Sequence, residues 1–484
     1  MSWLDKTVAF FSPSLAYRRE AWRKAYDELR SYDAGNHDRL NAGWRTVNAT
    51  AEQTDNIYRD TIRARTRDLE RNSDIQESIV GAFERNVVGT GFKLQAKTND
   101  EDLNNQIEKL WKEWCKPRNC DVTFQQSFSE ICRMVIRRKK VDGGILLVKR
   151  YTADGVPFSL QLREVDDLDT MQSSRNNVRI VNGVEYNEFN RPIAYYFKNY
   201  DINGFYSGKS ERIEANDVIF LWHKKRPSQI REISELAPTI TRIRDVNSYM
   251  EAVSVKERVA ACLSVFIKRH DPTPGGTGIG RQQFKQSSGG SASYEGKTLS
   301  PGMITELNPG DDIAVVSPPQ QGASAADFVR LQQRLTGSGQ GISYEATARD
   351  MSQVNYSSAR QGLLEDQKTY QIEQTYLIDH MLTEIYETFL ISAVLSGAIF
   401  IKNFWENKKE FMKHEWTPPG QKWIDPIKEA NANKVSLNTN QTTLAEIAAA
   451  SGHDWKDIVD QRAKELDYMR QKGVFIDDKI GKAN

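Results

Sequence analysis

Cysteine and histidine are scarce in this chain of 484 residues. Its cysteines, Cys115, Cys120, Cys132 and Cys262, are too few for a disulfide framework and include no CxxC pair, which is typical of a reducing compartment. A zinc site would need further cysteine or histidine ligands at short spacing. The six histidines lie apart, with neither HExxH nor HxH spacing. The sequence therefore predicts no metal site and no cofactor.

Long apolar runs and an excess of one charge are also missing. The longest apolar run, FLISAVLSGAIFI at 389–401, is too short for a bilayer span and predicts a buried core helix. The opening MSWLDKTVAFF has an acidic residue and no small-residue cleavage site, so we expect neither an export signal nor a membrane anchor. With 66 basic and 65 acidic side chains, the chain has no overall positive field for holding nucleic acid.

Motifs of the common enzyme classes are incomplete. EGKT at 295–298 resembles the end of a phosphate-binding loop, but Ser291 stands where that loop needs its first glycine. The sequence LSPG follows it, which does not begin a helix. No serine lies in a GxSxG elbow. We therefore expect no catalytic residues and no ATP hydrolysis.

Two charged runs each allow two interpretations. REVDDLDT at 163–170 is either a solvated turn at a strand end or a carboxylate pair for metal ions, as in a two-metal nuclease. RRKK at 137–140 is either the favourable basic end of a helix or a set of phosphate contacts. We favour the structural interpretation of both runs.

Apolar spacing predicts an α+β body followed by long helices. Between Thr54 and Val88 apolar residues recur at helical spacing, and GTG at 89–91 ends the pattern. From about residue 90 to 223, the runs FKLQAKT, GILLVKRY, FSLQLREV, IAYYFKN and DVIFLWHK predict strands. A long helical pattern starts after Arg226-Pro227 and shifts toward strand near Val265. A helix of about 28 residues would be about 40 Å long.

The second half alternates between glycine-rich and helical segments. A Gly/Ser/Pro-rich excursion includes two strand candidates, MITELNP and DIAVVSP, and a returning helix is predicted to start near Ser324. The polar stretch RDMSQVNYSSARQGLLEDQ at 349–367 comes next, and a helix continues into the 390s. We expect Asn355 or Ser357 to cap that helix. Gly362 costs it about 1 kcal/mol relative to alanine and predicts a bend. The last eighty residues predict helices separated by the turn SGHDW.

Five segments of the chain resemble the lambda-type family of tailed-phage portal proteins. They lie at 62–95, 111–144, 226–267, 341–365 and 423–426, in the family's order, and SQVNYSSAR is the most specific of their motifs. Two departures stand out. VDGG at 141–144 replaces a small-Gly-Glu turn, and LTGSGQG at 335–341 is richer in glycine than the family's helix, which predicts a shorter or kinked second stem helix.

The resemblance implies a portal-like, multidomain subunit of a closed, dodecameric ring built on head-to-tail contacts. Its implied parts are an N-terminal helix and arm (1–53), an α+β wing (54–230), a stem helix (231–270), a small β-containing clip (271–322), a returning stem helix (323–348), a tunnel loop and tunnel helix (349–400), and a crown of C-terminal helices (401–484). Charged residues make up 27% of the chain, which suits such extensive polar interfaces.

The resemblance also implies the partners and the functional residues. The partners are other copies of the chain, double-stranded DNA in the channel, the terminase large subunit, the major capsid and scaffold proteins, and head-completion or neck proteins, without a membrane. The implied location is the virion, reached from the host cytoplasm. An adaptor or other head-assembly ring protein without a DNA channel is the alternative. The implied terminase-facing clip residues are Arg281, Lys285 and Lys297, and those of the DNA-facing tunnel loop are Arg349, Asp350, Ser352, Gln353, Asn355, Tyr356, Ser357, Ser358 and Arg360.

The tunnel loop has an alternative interpretation that the residues leave open. Its amide and hydroxyl side chains suit a surface that DNA slides past, because they exchange hydrogen bonds with phosphates and water. The same residues also suit a buried polar linker in which Asn355 and Arg360 tie helices together.

Overall fold

The computed structural model describes residues 10, 12–28, 43, 46–152, 155–172, 174, 178–200, 203–262, 266–267, 305–306, 325–352, 355–420 and 426–473. The chain divides into two compact units, residues 1–54 and 55–484. The first unit contains α1 (Pro13–Glu28), where the sequence predicts a helix, and α2 (Ala51–Asp55) follows. Most of the predicted N-terminal arm lies outside the described residues.

Helices begin the second unit. α3 (Arg59–Asn72) and α4 (Asp74–Phe83) follow each other, and a π-helical turn at Glu84–Val88 ends at Gly89. Gly89 has a φ of +48°, a conformation that favours glycine, so it ends the helix where the sequence predicts. The helical pattern predicted for 54–88 is confirmed. The next helices are α5 (Glu101–Trp114), α6 (Pro117–Cys120) and α7 (Phe128–Val141).

The strands of this region form two antiparallel sheets, with strands numbered in chain order. One sheet has the order β3 (Ser159–Arg163), β2 (Gly144–Arg150), β8 (Val218–Trp222). The other has the order β4 (Arg179–Val181), β5 (Val184–Tyr186), β6 (Pro192–Tyr200), β7 (Tyr206–Glu214). β1 (Lys93–Ala96) instead pairs with β11 (His414–Thr417), which joins the strand-rich region to the C-terminal part of the chain.

All five strands predicted from apolar runs are confirmed, and the α+β fold class with them. The sequence analysis missed β4, β5 and β7. β4 and β5 have three residues each, which is too short for a periodic pattern. β7 is mostly exposed, so it lacks the apolar alternation that marks a half-buried strand.

The stem helix starts later than predicted. α8 covers Ile240–Cys262, whereas the prediction began at 231. Residues 235–239 form turns, and Pro238 explains the delay. Proline disfavours a helical conformation in the residue before it and is accepted at the start of a helix. The predicted start was therefore wrong, although the helix itself is confirmed.

The clip segment is only partly described. β9 (Phe266–Ile267) pairs in parallel with β10 (Thr305–Glu306), which confirms the shift toward strand near Val265 and the strand predicted at MITELNP. The second strand candidate, DIAVVSP, lies outside the described residues. The same holds for most of the predicted clip, 271–322.

The described residues between 325 and 395 form four helices. α9 (Ala325–Gln340) ends before Gly341, which has a φ of +72°, and the short α10 (Tyr344–Ala348) follows. The returning helix is thus shorter than the predicted segment 323–348. α11 (Tyr356–Leu377) continues through Gly362. A π-helical turn, Ile378–Leu382, then leads into α12 (Thr383–Leu395).

The described part of the C-terminal region contains four helices besides β11. It contains α13 (Lys408–Phe411), α14 (Pro426–Asn438), α15 (Leu444–Ala450) and α16 (Trp455–Gln471). Thr443 and Glu446 form a capping box at the start of α15. The predicted pair of helices around SGHDW is confirmed, because α15 ends just before this turn and α16 begins within it.

Two apolar cores stabilise the second unit. The larger one contains stacked Trp111 and Trp114, with ring centroids 4.9 Å apart, and Phe389 of α12 lies against both. Phe389 and Leu390 are fully buried, as the predicted core helix at 389–401 requires, although α12 stops at Leu395. The smaller core contains residues of both the three-stranded and the four-stranded sheet. Within the described ranges, no helix combines the length and apolarity that crossing a bilayer takes.

Candidate functional site

The polar stretch begins at Arg349, directly after α10, and its part from Tyr356 onward is the start of α11. Arg349 caps the end of α10 in the left-handed conformation, with a φ of +54°. Asp350 accepts the Ser352 N–H on Oδ1 at 2.9 Å and the Tyr344 hydroxyl on Oδ2 at 3.0 Å. These hydrogen bonds lower the pKa of Asp350 and keep its carboxylate ionised. Gln353 lies outside the described residues.

Asn355 starts α11 in the way that the sequence predicts. Its Oδ1 accepts the Ser358 backbone N–H at 2.8 Å and the Ser358 hydroxyl at 2.9 Å. Ser357, the other candidate, lies inside the helix. The N-cap prediction for Asn355 is therefore confirmed, and the loop has a fixed C-terminal end.

The N-terminal end of the loop is fixed by a link between α10 and α11. Asp366 of α11 accepts the Ser343 N–H on Oδ1 at 2.7 Å and the Ser343 hydroxyl on Oδ2 at 2.6 Å. One turn further along, the Thr369 hydroxyl donates to the Gly341 carbonyl at 2.7 Å. Burial raises the pKa of Asp366 although both Ser343 groups donate to it. The two helices on either side of the loop are therefore hydrogen-bonded to each other.

Glycines let α9 approach its neighbours closely. A Cβ on Gly337 would lie 2.4 Å from Thr347 Oγ1 and 2.9 Å from the Ile342 carbonyl oxygen. A Cβ on Gly339 would lie 2.8 Å from Thr239 Cγ2, just before α8. The unusual glycines of LTGSGQG thus set the contacts of α9 with α10 and with the start of the stem.

The exposed side of α11 next to the loop is mostly polar and nearly neutral, and Leu364, 41% exposed, is an apolar residue on it. We call Ser357, Ser358, Gln361, Glu365 and Lys368 the polar face; all five are exposed. Lys368 Nζ lies 2.8 Å from Glu365 Oε1, so the two charges on this face offset each other. A phosphate chain passing this face would meet hydroxyl and amide groups and one paired lysine.

The nine predicted loop residues do not all share this exposure. Arg360 is half-buried and lines a groove of about 530 Å³ between α11, the Pro418–Gly420 turn and helices α14 and α15. Asp350 is also half-buried, and the Tyr356 side chain lies outside the described atoms. Five predicted loop residues are exposed: Arg349, Ser352, Asn355, Ser357 and Ser358.

The predicted clip residues Arg281, Lys285 and Lys297 lie outside the described residues. Their assignment to a terminase contact therefore stays a prediction.

The RRKK run ends α7, and all four side chains pair with carboxylates of the same chain. Arg137 lies 2.6 Å from Glu77 and 2.6 Å from Glu84, and Arg138 pairs with Glu70. Lys139 and Lys140 pair with two glutamates from other elements. The structural interpretation of the run is confirmed, since these cations are already occupied.

The carboxylates of REVDDLDT are likewise paired within the chain. Asp166 lies 2.9 Å from Arg63 and 2.7 Å from Arg67. Asp169 accepts the Tyr206 hydroxyl at 2.9 Å and the Gln172 amide at 2.9 Å, and it also bonds to Ser210. The turn interpretation fits these contacts, because both carboxylates are already bound by protein groups.

One group has the composition of a metal site but already contains a cation. His223, Glu235 and Glu373 place ligand atoms within 4.8 Å of one another. Lys139 Nζ lies 2.7 Å from Glu235, 2.8 Å from Glu373 and 3.2 Å from His223 Nδ1. Its ammonium therefore stands where a metal ion would bind.

Of the free cysteines in the described residues, Cys120 and Cys132 are buried and Cys115 is half-buried. Burial raises the pKa of Cys115 well above its usual value, and it raises the pKa of Cys120 to about 12. A thiol with such a pKa is a poor metal ligand and a poor nucleophile at neutral pH.

Sequence reasoning missed three features of this region: the Asp366 link, the close approach at Gly337, and the pairing of Lys139 and Lys140 with distant glutamates. Only the glycines left a local signal, because two glycines inside a helical pattern mark a close approach of another backbone. The other two features join side chains that are far apart in sequence.

A mixed helix and strand body, the long helix α8 with the returning helix α9, and a polar loop before α11 define a multidomain α+β subunit. The family model described as phage portal protein, lambda family, matches residues 37–374. The chain therefore belongs to the lambda family of phage portal proteins.

Individual relatives agree with this assignment. The chain is 26% identical over 480 residues to a probable portal protein of Halomonas phage phiHAP-1, covering 93% of this chain and 89% of that protein. It is 19% identical over 448 residues to portal protein B of Escherichia phage lambda, covering 85% of this chain and 84% of that protein. Among solved structures, the neck of a native gene transfer agent particle computed with C12 symmetry matches with a TM-score of 0.40 and 12% identity, covering 80% of this chain and 93% of that chain.

Proposed function

We propose that this portal protein forms a dodecameric ring at one capsid vertex. The ring is the channel through which double-stranded DNA enters the capsid during packaging and leaves during ejection. It docks the terminase large subunit and later the neck or tail connector proteins, and it contacts the major capsid and scaffold proteins. Assembly takes place in the host cytoplasm, and the ring then remains in the virion. Membership of the portal family supports this proposal.

Within this proposal the parts of the chain keep the roles that the resemblance implies, with corrected helix bounds. α8 and α9 are the stem pair, and Tyr249 of α8 packs on Phe328 of α9 with ring centroids 4.6 Å apart. The excursion between them is the clip and carries Arg281, Lys285 and Lys297 toward the terminase. The loop after α10 faces the DNA, and α13–α16 belong to the crown.

The polar face of α11 is the observation that carries the channel assignment. Lys368, its only lysine, is paired at 2.8 Å with Glu365. DNA has to slide during packaging, and a row of free lysines would bind phosphates and hold it. Hydroxyl and amide groups contact phosphates without this lasting electrostatic attraction. A neutral, hydrogen-bonding lining therefore fits a channel better than a DNA-binding site.

Gln353→Lys tests this assignment at the centre of the loop sequence. We expect ring assembly to stay normal and packaging to slow or stall, with a larger effect at low salt because the added phosphate contact is electrostatic. The measurement is DNA packaged per assembled ring in vitro, at several salt concentrations. Gln125→Lys is the matched control, because it adds the same charge at an exposed position between α6 and α7.

The two interpretations of the loop predict different results. If Gln353→Lys prevents assembly while each assembled ring packages normally, the loop is a structural joint and the channel assignment is wrong. If both lysine variants slow packaging equally, the effect comes from charge on any surface, and the loop has no special role.

A further inference from the structure

Four buried charges close a ring of ion pairs between three parts of the chain. Lys139 Nζ lies 2.7 Å from Glu235 Oε1 and 2.8 Å from Glu373 Oε2. Lys140 Nζ lies 2.5 Å from Glu235 Oε2 and 2.9 Å from Glu373 Oε1. Each ammonium thus bridges both carboxylates, and each carboxylate bridges both ammoniums. We call these four side chains the charge cluster.

The members of the charge cluster come from separate elements. Both lysines belong to the last turn of α7 in the wing, and Glu373 belongs to the C-terminal part of α11. Glu235 belongs to residues 229–239, the segment directly before α8, which we call the stem base. The cluster is therefore a contact at which the wing, the stem base and the tunnel helix meet.

The charge cluster is enclosed by protein. The side chain of Lys139 is 0% exposed, and those of Glu235 and Glu373 are 8% and 5% exposed. Phe83 covers Lys140, whose Nζ lies 3.9 Å from the ring centroid, and Tyr376 covers Lys139 at 4.8 Å. With little water to replace a lost partner, each charge depends on the other three.

His223 and Tyr376 extend the contact from the charge cluster to the end of strand β8. His223, directly after β8, places Nδ1 3.2 Å from Glu235 Oε1, and its ring packs on Tyr376 at 4.5 Å. The Tyr376 hydroxyl donates to the Trp222 carbonyl at 2.9 Å and accepts the Trp222 N–H at 3.0 Å. α11 is thereby joined to the end of β8 as well as to the charge cluster.

We propose that the charge cluster is a coupling joint that makes α11, the stem base and the end of α7 open as one cooperative unit. If α11 moves alone, Glu373 leaves and two buried ammoniums face a single carboxylate. If the stem base moves alone, Glu235 leaves, and the two buried ammoniums face only Glu373. Separate movements are therefore disfavoured, and a displacement of α11 is transmitted to the start of the stem. The coupling goes beyond the proposed function and does not depend on it.

Hydrogen–deuterium exchange of the full chain, measured over a range of low denaturant concentrations, tests the proposal. Peptides covering 366–377 and 236–246 should show the same opening free energy and denaturant dependence in the wild type, as members of one cooperative unit do. In Glu373→Gln, exchange should increase by about tenfold or more in both peptides, because local opening governs it. Different opening free energies in the wild type, or an increase confined to 366–377 in the variant, would overturn the proposal.

Two further variants separate coupling from general destabilisation. Asp366→Asn weakens the hydrogen bonds from Ser343 of α10 to α11. Exchange should therefore increase around 343–350, while the opening free energies of peptides 366–377 and 236–246 stay equal to each other. The double variant Lys140→Met with Glu373→Gln keeps the Lys139–Glu235 pair and balances the charges, so it also serves if the single variant does not fold. In this double variant, the exchange of peptide 366–377 should increase while that of peptide 236–246 stays at the wild-type rate. A double variant whose two peptides still open together would contradict the proposal.

Discussion

Replacing Gly337 by alanine tests whether the glycines of α9 set the position of the loop. The new Cβ would lie 2.4 Å from Thr347 Oγ1 and 2.9 Å from the Ile342 carbonyl oxygen. The Thr347 hydroxyl donates to the Ser343 carbonyl at 2.9 Å, so it cannot turn away without losing that bond. The carbonyl is backbone, so relief requires α10 to shift as a whole. We therefore expect Gly337→Ala to destabilise the protein and to displace α10.

Gly362→Ala is the matched control for the size of the destabilisation caused by Gly337→Ala. It makes the same change inside α11, where the nearest atom to the new Cβ is Ser343 Cβ at 3.6 Å, an ordinary contact. Each alanine gains about 1 kcal/mol of helix propensity, so this gain cancels when the two variants are compared. The remaining difference is the overpacking cost at 337, about 1–3 kcal/mol.

Urea denaturation followed by circular dichroism measures this difference. We expect Gly362→Ala to be at least as stable as the wild type, and Gly337→Ala to be less stable than Gly362→Ala by about 1–3 kcal/mol. Limited proteolysis should also cut Gly337→Ala faster within 341–355. If the two variants are equally stable and equally resistant, the close approach at Gly337 does not determine the packing of α10, and the reasoning fails.

Three further outcomes are expected. Burial alone would raise the pKa of Glu235, but Lys140 and Lys139 hold this pKa well below its usual value. Below about pH 4.3, the usual pKa of a glutamate, the carboxylate of Glu235 takes up a proton in the unfolded chain but not in the folded chain. The free energy of unfolding should therefore fall as the pH is lowered through this range. Acid titration of unfolding should show a shallower fall in Glu235→Gln, and an unchanged slope would contradict this. Asn355→Ala should lower the free energy of unfolding by about 1 kcal/mol through loss of the cap, whereas Asn438→Ala at the end of α14 should change it little. Replacing 275–293 by a short linker should leave the ring intact and weaken terminase binding in a pull-down assay; loss of the ring itself would make this segment a subunit interface.

Local patterns predicted much of the fold. Strands such as β2 and β8 are short apolar runs bounded by turns, and their positions follow from composition alone. The cap at Asn355 was also predictable, because an N-cap contacts only the next few residues. These features depend on interactions between near neighbours in the chain.

Features that depend on distant residues were not predictable in this way. The stem base carries Arg231 and Glu232, which look like part of a surface helix in the sequence, yet both are buried. Glu232 lies 2.7 Å from Arg231 and 3.2 Å from Arg63 of α3. Such an ion pair removes charged residues from solvent without leaving an apolar periodicity, so the sequence predicts a helix where the chain forms turns.

The candidate site also combines a feature that the sequence predicts with one that depends on distant residues. The polar composition of the loop is a property of the sequence, but its anchoring by Ser343 and Asp366 exists only after α10 and α11 have packed together. The sequence therefore indicates what the loop presents, and the structure shows how two helices hold it.

Electron microscopy of the purified protein shows directly whether it forms the proposed ring. We expect closed rings with an axial hole wide enough for duplex DNA. Particles that remain compact monomers over a wide range of salt and protein concentrations would contradict it.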